Sequence, residues 1–257
     1  MITFCVYDLL LQIAYAEAMP DNPEITTGSL TARLLPHQQQ DHLVRRLLQR
    51  YRPLPAIFSA LVPDALMEIS PGDGFDMARY FSGVIDQKAS PATRHSQKIA
   101  LIAARMAKFY GWNEDKKAQF TLAAALHDTG KLVVANRLLE KPSKLTSDEF
   151  DSMKLHARYT YEILRSVRKF DPIGPWAWNH HEKLDGSGYP FGRTASELSF
   201  EDRLLACIDI YEALREKRSY KETMTHQEAL EELRQQADAG KIDADIVEDI
   251  GRCYAKT

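Results

Sequence analysis

The sequence predicts an all-α fold, and three observations carry that prediction. No run alternates apolar and polar residues with β-branched enrichment for long enough to propose a sheet. Ile99, Ile102, Ala103, Met106 and Tyr110 instead recur at the i, i+3, i+4 spacing of a helix with one core-facing stripe. Finally, histidines and aspartates recur in an ordered series: His95, His127-Asp128, His156, His180-His181 and Asp209. The gaps from His95 to His127, His127 to His156, His156 to His180 and His180 to Asp209 are 32, 29, 24 and 29 residues. Each is about one helix plus its return connection.

Taken in order, MITFCVYDLLLQIAYA opens the chain as an amphipathic helix over 3–18, a packing or dimer contact. It lacks a basic leading segment, carries Asp8 and is too short to span a bilayer. Residues 20–36, RPLP at 52–55 and SPGDG at 70–74 break up the chain after it. The reading is a small helical N-terminal region over 1–74, of unassigned role, and a main domain over 75–257. Asn113 ahead of Glu114-Asp115 marks a helix start. Thr146-Ser147-Asp148-Glu149 and Thr225-His226-Gln227-Glu228 fit capping boxes, and Gly111 and Gly240 suit helix stops. No internal repeat or low-complexity tract is present.

At 257 residues, 44% hydrophobic and 27% charged with net charge −3, the composition is that of a soluble globular protein. Nothing in it points to DNA or a membrane surface. Cys5, Cys207 and Cys253 are odd in number and form no CxxC pair. Neither a disulfide framework nor a thiolate zinc site is suggested, and a reducing cytoplasm is the simplest home.

Imidazole and carboxylate suit iron, manganese, nickel or zinc, and seven such groups exceed the needs of one four- to six-coordinate ion. Two adjacent ions fit better, with Asp128 as a bridge at the end of the apolar helix FTLAAALHDTGK. Lys131 falls near the same face, and a cation there calls for an anionic ligand such as a phosphate. His180 and His181 are adjacent and reach one cluster only at a helix end or distortion. Asp185-Gly186-Ser187-Gly188-Tyr189-Pro190 supplies such an end and reads as a substrate lip, with Tyr189 as its ring. His37, His42 and His226 lie outside the series and read as surface residues.

Through HDTGK at 127–131, HHEKLDGSGYPFG at 180–192 and DIYEAL at 209–214, residues 75–240 resemble the HD-GYP family, a branch of the HD metal-dependent phosphohydrolases. The resemblance implies an HD-type helical bundle with a C-terminal GYP extension. It also implies hydrolysis of cyclic di-GMP to linear pGpG and onward to GMP, through a hydroxide shared by two ions. His95, His127, Asp128, His156, His180, His181 and Asp209 would be the metal ligands. Lys131 would act with Asp128 in catalysis and contact phosphate, beside Tyr189, Arg218 and Lys221 as substrate contacts. Glu182 and Arg203 would support them.

The metals implied are two divalent ions, iron or manganese foremost, with nickel, magnesium and zinc left open. Pro91 stands where three-metal members carry a glutamate, and Pro91-Ala92 replaces an aromatic-threonine pair. Ile242-Asp243-Ala244 stands where Phe-Asp-Pro is common. The resemblance also implies a diguanylate cyclase (GGDEF) partner. Two alternatives remain open. One is a phosphodiesterase for another cyclic dinucleotide such as cyclic GMP-AMP; the other is a dinucleotide sensor with little turnover, separable by binding without product.

Overall fold

The computed structural model describes residues 71–89, 94–165, 170–216 and 223–255. The N-terminal helix expected over 3–18, His37, His42, Pro91-Ala92, Arg218 and Lys221 lie outside the described residues. Among those described, regular structure is helical apart from a lone antiparallel bridge between Asp185 and Thr194. The elements run α1 (Pro71–Ala89), α2 (His95–Phe109), α3 (Glu114–Leu126), a 3-10 turn (Thr129–Val133) and α4 (Asn136–Leu139). There follow α5 (Ser147–Leu164), α6 (Gly174–Trp178), a second 3-10 turn (Ala195–Glu197), α7 (Phe200–Arg215), α8 (His226–Asp238) and α9 (Ala244–Tyr254).

Local sequence sets most of these ends. Asn113 caps α3 through Lys116 N, while Thr146 and Thr225 make complete capping boxes with Glu149 and Glu228. Gly111 and Gly240 take φ of 67° and 70° just past α2 and α8. The segment SPGDG behaves differently from a breaker, because α1 begins at Pro71. Proline lacks only an N–H that the first helical residue would leave unsatisfied, so the same residue that stops one helix opens another.

The bundle is organised around α3. Phe120 to Leu126 are all buried, so the second half of this helix is enclosed on every side by others. It packs against α1, α2 and α6. Leu122, Ala123, Ala125 and Leu126 join a core with Ala78, Phe81, Leu164, Phe170 and Trp178. Phe120 and Ala124 face a second core with Ile99, Ala103, Met106, Leu205, Ile208, Tyr211, Leu233 and Ile250. The stripe on α2 is buried from Ile99 to Met106, and Tyr110 is half-buried with its hydroxyl donated to Asp249 Oδ2 at 2.9 Å.

The end of α3 is pinned by a close approach. The turn at Gly130 lies against the backbone of α5, where an added Cβ would meet His156 O at 1.9 Å and Thr160 N at 2.6 Å. Thr160 Oγ1 locks the contact, donating to His127 O at 3.0 Å and accepting from Gly130 N at 2.9 Å. Both neighbours at Gly130 are backbone, so neither can swing aside. Gly130→Ala is expected to cost at least about 3 kcal/mol in urea denaturation. Gly83→Ala, inside α1 with its nearest neighbour at 3.6 Å, should instead gain about 0.5–1 kcal/mol. Equal effects at the two glycines would remove the packing explanation.

Candidate metal centre

Five elements deliver the seven residues of the series to one place. His95 is the first residue of α2, His127 and Asp128 follow α3, His156 is within α5, His180 and His181 follow α6, and Asp209 is within α7. The sequence placed Lys131 on a helical face, but α3 has ended there and Lys131 lies in the 3-10 turn. Positions i and i+3 eclipse in that geometry, and Lys131 Nζ sits 2.5 Å from Asp128 Oδ2. The histidine pair lies just beyond Asn179, the cap of α6, with ring centroids 4.0 Å apart.

Three sets of donor atoms lie within 4.8 Å of one another: His95, His127 and Asp209; His127, Asp128 and His180; and His156, His180 and His181. Asp128 straddles them. Its Oδ2 is 3.2 Å from His127 Nε2, and its Oδ1 is 3.3 Å from His156 Nε2 and 4.0 Å from His180 Nε2. Asp209 does the same, with Oδ1 3.1 Å from His95 Nε2 and Oδ2 3.7 Å from His181 Nδ1. Two imidazoles therefore gather on one side and three on the other, with a carboxylate spanning each gap. That geometry suits two adjacent cations.

The donor chemistry passes a direct test. His127, His156 and His180 each place Nδ1 2.6–2.7 Å from the carbonyl three residues earlier, at Ala124, Met153 and Ala177. A carbonyl only accepts, so Nδ1 carries the proton and the Nε2 lone pair is left facing the cluster. Those three Nε2 atoms and Asp128 Oδ1 are buried without a hydrogen-bond partner. Buried polar atoms aimed at one point are costly unless a cation satisfies them.

The family follows from the same segment of chain. The HD domain model matches residues 79–246. The chain belongs to the HD domain family. The motifs that resemble the HD-GYP branch, HDTGK at 127–131 and HHEKLDGSGYPFG at 180–192, lie within the matched segment. The 3'3'-cGAMP-specific phosphodiesterase 1 of Vibrio cholerae is 32% identical over 176 residues, 68% of this chain and 41% of that protein. The cyclic di-GMP phosphodiesterase response regulator RpfG of Xanthomonas campestris is 39% identical over 136 residues, covering 52% and 36%. The HD chain thus spans well under half the length of either relative. Among solved structures, Bd1817, a HDG"Y"P protein from Bdellovibrio bacteriovorus, superposes with a TM-score of 0.53 at 16% identity, covering 70% of this chain and 63% of that one, a likeness of fold.

Around the HD centre, Glu182 organises the glycine-rich loop, and Arg203 braces the second 3-10 turn that follows it. Buried Glu182 accepts Phe191 N at 2.7 Å and Arg193 N at 2.9 Å. Gly188 lies so close to Glu182 and Lys183 that a Cβ would meet their backbone at 2.4 Å. Arg203 donates to Leu198 O at 3.1 Å and Ala195 O at 2.7 Å. Tyr189 covers His181, ring centroids 4.7 Å apart.

Several positioning residues carry no sequence signal. Asp86 of α1 accepts Ser96 N at 2.7 Å and Gln97 N at 3.0 Å, capping α2 where Arg94 takes φ of 53° and makes no side-chain cap. That bond pair fixes His95. Glu216 Oε1 approaches His95 Nδ1 at 3.6 Å. His226, expected at the surface, is half-buried, with Nδ1 2.8 Å from the Tyr211 hydroxyl, because α8 folds back on α7.

Burial governs the protonation of the centre. It pushes His156 down to about 4 and His180 to about 3, and with the neighbouring His180 holds His181 well below its usual value. Burial would lower His127 too, but the charge and hydrogen bond of Asp128 and the charge of Asp209 together outweigh it and raise that imidazole. Burial would raise both carboxyls; the His127 and Lys131 charges hold Asp128 well below its usual range, and His95 and His181 do so for Asp209.

Depressed histidines bind protons more readily unfolded than folded, so they remove stability as pH falls from about 6.5 toward 4. His127 acts oppositely, adding stability that is present below about 6.5 and lost as pH rises through its raised folded value. Three depressed groups outweigh one, so chelator-stripped protein should lose at least about 2 kcal/mol between pH 7 and pH 5 in urea titrations. Unchanged midpoints would contradict these protonation states. Asp86→Ala should cost about 1–2 kcal/mol on the same assay and lower the metal content of protein purified with its ions.

Proposed function

We propose that this chain is a metal-dependent phosphodiesterase that hydrolyses cyclic di-GMP to linear pGpG and onward to GMP. The observation that carries the reading is the convergence of seven donors in three overlapping sets, with Asp128 and Asp209 each reaching imidazoles on both sides. His95, His127, Asp128 and Asp209 would hold one ion, and Asp128, His156, His180, His181 and Asp209 the other. Divalent ions bound there supply an acidified water and Lewis-acid stabilisation of phosphoryl oxygens.

The protein's own groups do the rest. Lys131, partly exposed at the mouth and paired with Asp128, presents an ammonium to a phosphoryl oxygen where negative charge gathers. Tyr189 walls one side of His181. Arg218 and Lys221 belong to the proposal as further phosphate contacts. No nucleophilic side chain is required, and Cys207 could not serve as one, because burial pushes its thiol up to about 12, two residues from Asp209. Imidazole and carboxylate donors without thiolate favour iron or manganese over softer-ligand metals.

A second substrate within the same chemistry is cyclic GMP-AMP, supported by the Vibrio cholerae relative named for it. Comparing turnover of the two dinucleotides decides between them. Anaerobically purified protein is expected to hold about two ions per chain by elemental analysis. Asp128→Ala should lose ions from both sets and reduce turnover at least about a hundredfold. Fully metallated protein that binds either dinucleotide without cleaving it would replace the enzyme with a sensor.

A further inference from the structure

Beyond the centre, a line of rings and charge leads outward along α5. Phe150 is 48% exposed in the first turn of α5. Lys154, four residues on and therefore on the same face, holds its ammonium 4.9 Å from the Phe150 ring centroid and 5.9 Å from that of Tyr189. Asp151 steadies it, with Oδ1 2.8 Å from Nζ. Tyr189 in turn lies against His181, whose side chain is 25% exposed and so marks the open side of the centre.

A single exposed phenylalanine needs no explanation. An exposed ring joined through a cation to a second ring that touches the centre is a different matter, because it is continuous with the place where phosphate would bind. We propose that Phe150, with Lys154, forms a stacking subsite for one purine of the substrate. This rests on the cyclic dinucleotide reading and names which part of the ligand the outer surface receives. When phosphate sits by Lys131, a base hangs one ribose away and needs an aromatic face outside the donor cluster. The Phe150 ring supplies that face, and the Lys154 ammonium can turn to a carbonyl or ring nitrogen at the base edge. Every base has a π-face, so the subsite serves guanine and adenine alike.

The test uses ligands that differ only by a base. Calorimetric Kd values for GMP, AMP and ribose 5-phosphate would be measured on metal-loaded wild type, Phe150→Ala and Phe150→Trp. Phe150→Ala should weaken GMP about tenfold and AMP equally. Ribose 5-phosphate binding and ion content should stay unchanged, and Phe150→Trp should restore GMP. GMP affinity unchanged in Phe150→Ala, weakened equally with ribose 5-phosphate, or absent in the wild type would overturn the subsite. Turnover of cyclic di-GMP by the wild type judges the phosphodiesterase reading separately, since GMP is a monoester and its binding needs no cleavage.

Discussion

His127, His156 and His180 are each held by a carbonyl three residues back, and the centre depends on that repeated contact. An imidazole has two nitrogens, and fixing the proton on one decides what the other can do. Ala124 and Ala177 lie in the last turns of α3 and α6, where carbonyls lack an intrahelical donor. One bond therefore satisfies an orphaned helix end and orients a lone pair. Met153 is in mid-helix, and its carbonyl uses its second acceptor position for His156. Backbone geometry, rather than a network of further side chains, sets three of the five imidazoles, and it does so before any ion arrives.

That economy demands rigidity where the backbone segments meet. The turn after α3 approaches α5 so closely that only glycine fits at 130, and Thr160 binds both sides of the contact. Asp86 plays the equivalent part for His95, since the first N–H groups of α2 would otherwise lack partners. Each of these residues holds a ligand-bearing segment by its main chain. Asp128 and Asp209 are buried among imidazoles, and charges so placed are costly without strong compensation. Binding free energy from cations is then folding free energy for this region.

The parts of this arrangement legible in the sequence are those whose signal is local. Capping boxes at Thr146 and Thr225, the stop at Gly111 and the histidine series each occupy a few residues with distinctive chemistry. The histidine pair could be placed at a helix end from geometry alone, and α6 does end just before it. Contacts between distant side chains and anonymous backbone groups escaped. Asp86 bonds two N–H groups ten and eleven residues away, and Thr160 reaches back 33 residues to His127 O. An amide is the same at every position, so no residue type announces it. His226 escaped for a related reason: its partner, Tyr211, belongs to another helix, and only the fold brings them together. SPGDG was ambiguous because proline marks helix starts and breaks alike.

The glycine-rich loop is attached to the centre in a way that limits how it can act. Glu182 directly follows His181, and its two carboxylate oxygens hold the main chain at Phe191 and Arg193, on the far side of the loop. Tyr189 N donates to His181 O at 3.2 Å, while Gly188 abuts the Glu182 backbone. Asp185 closes the near end, accepting Ser187 N at 2.9 Å. The loop is thus bonded at its middle and its far end to the segment that carries two donors. A lid must move independently of the groups it covers, and this loop would drag His180 and His181 with it. It acts as a fixed wall of the cleft, so access to the centre is set by its shape, and Tyr189 presents a stationary ring against which a ligand must fit.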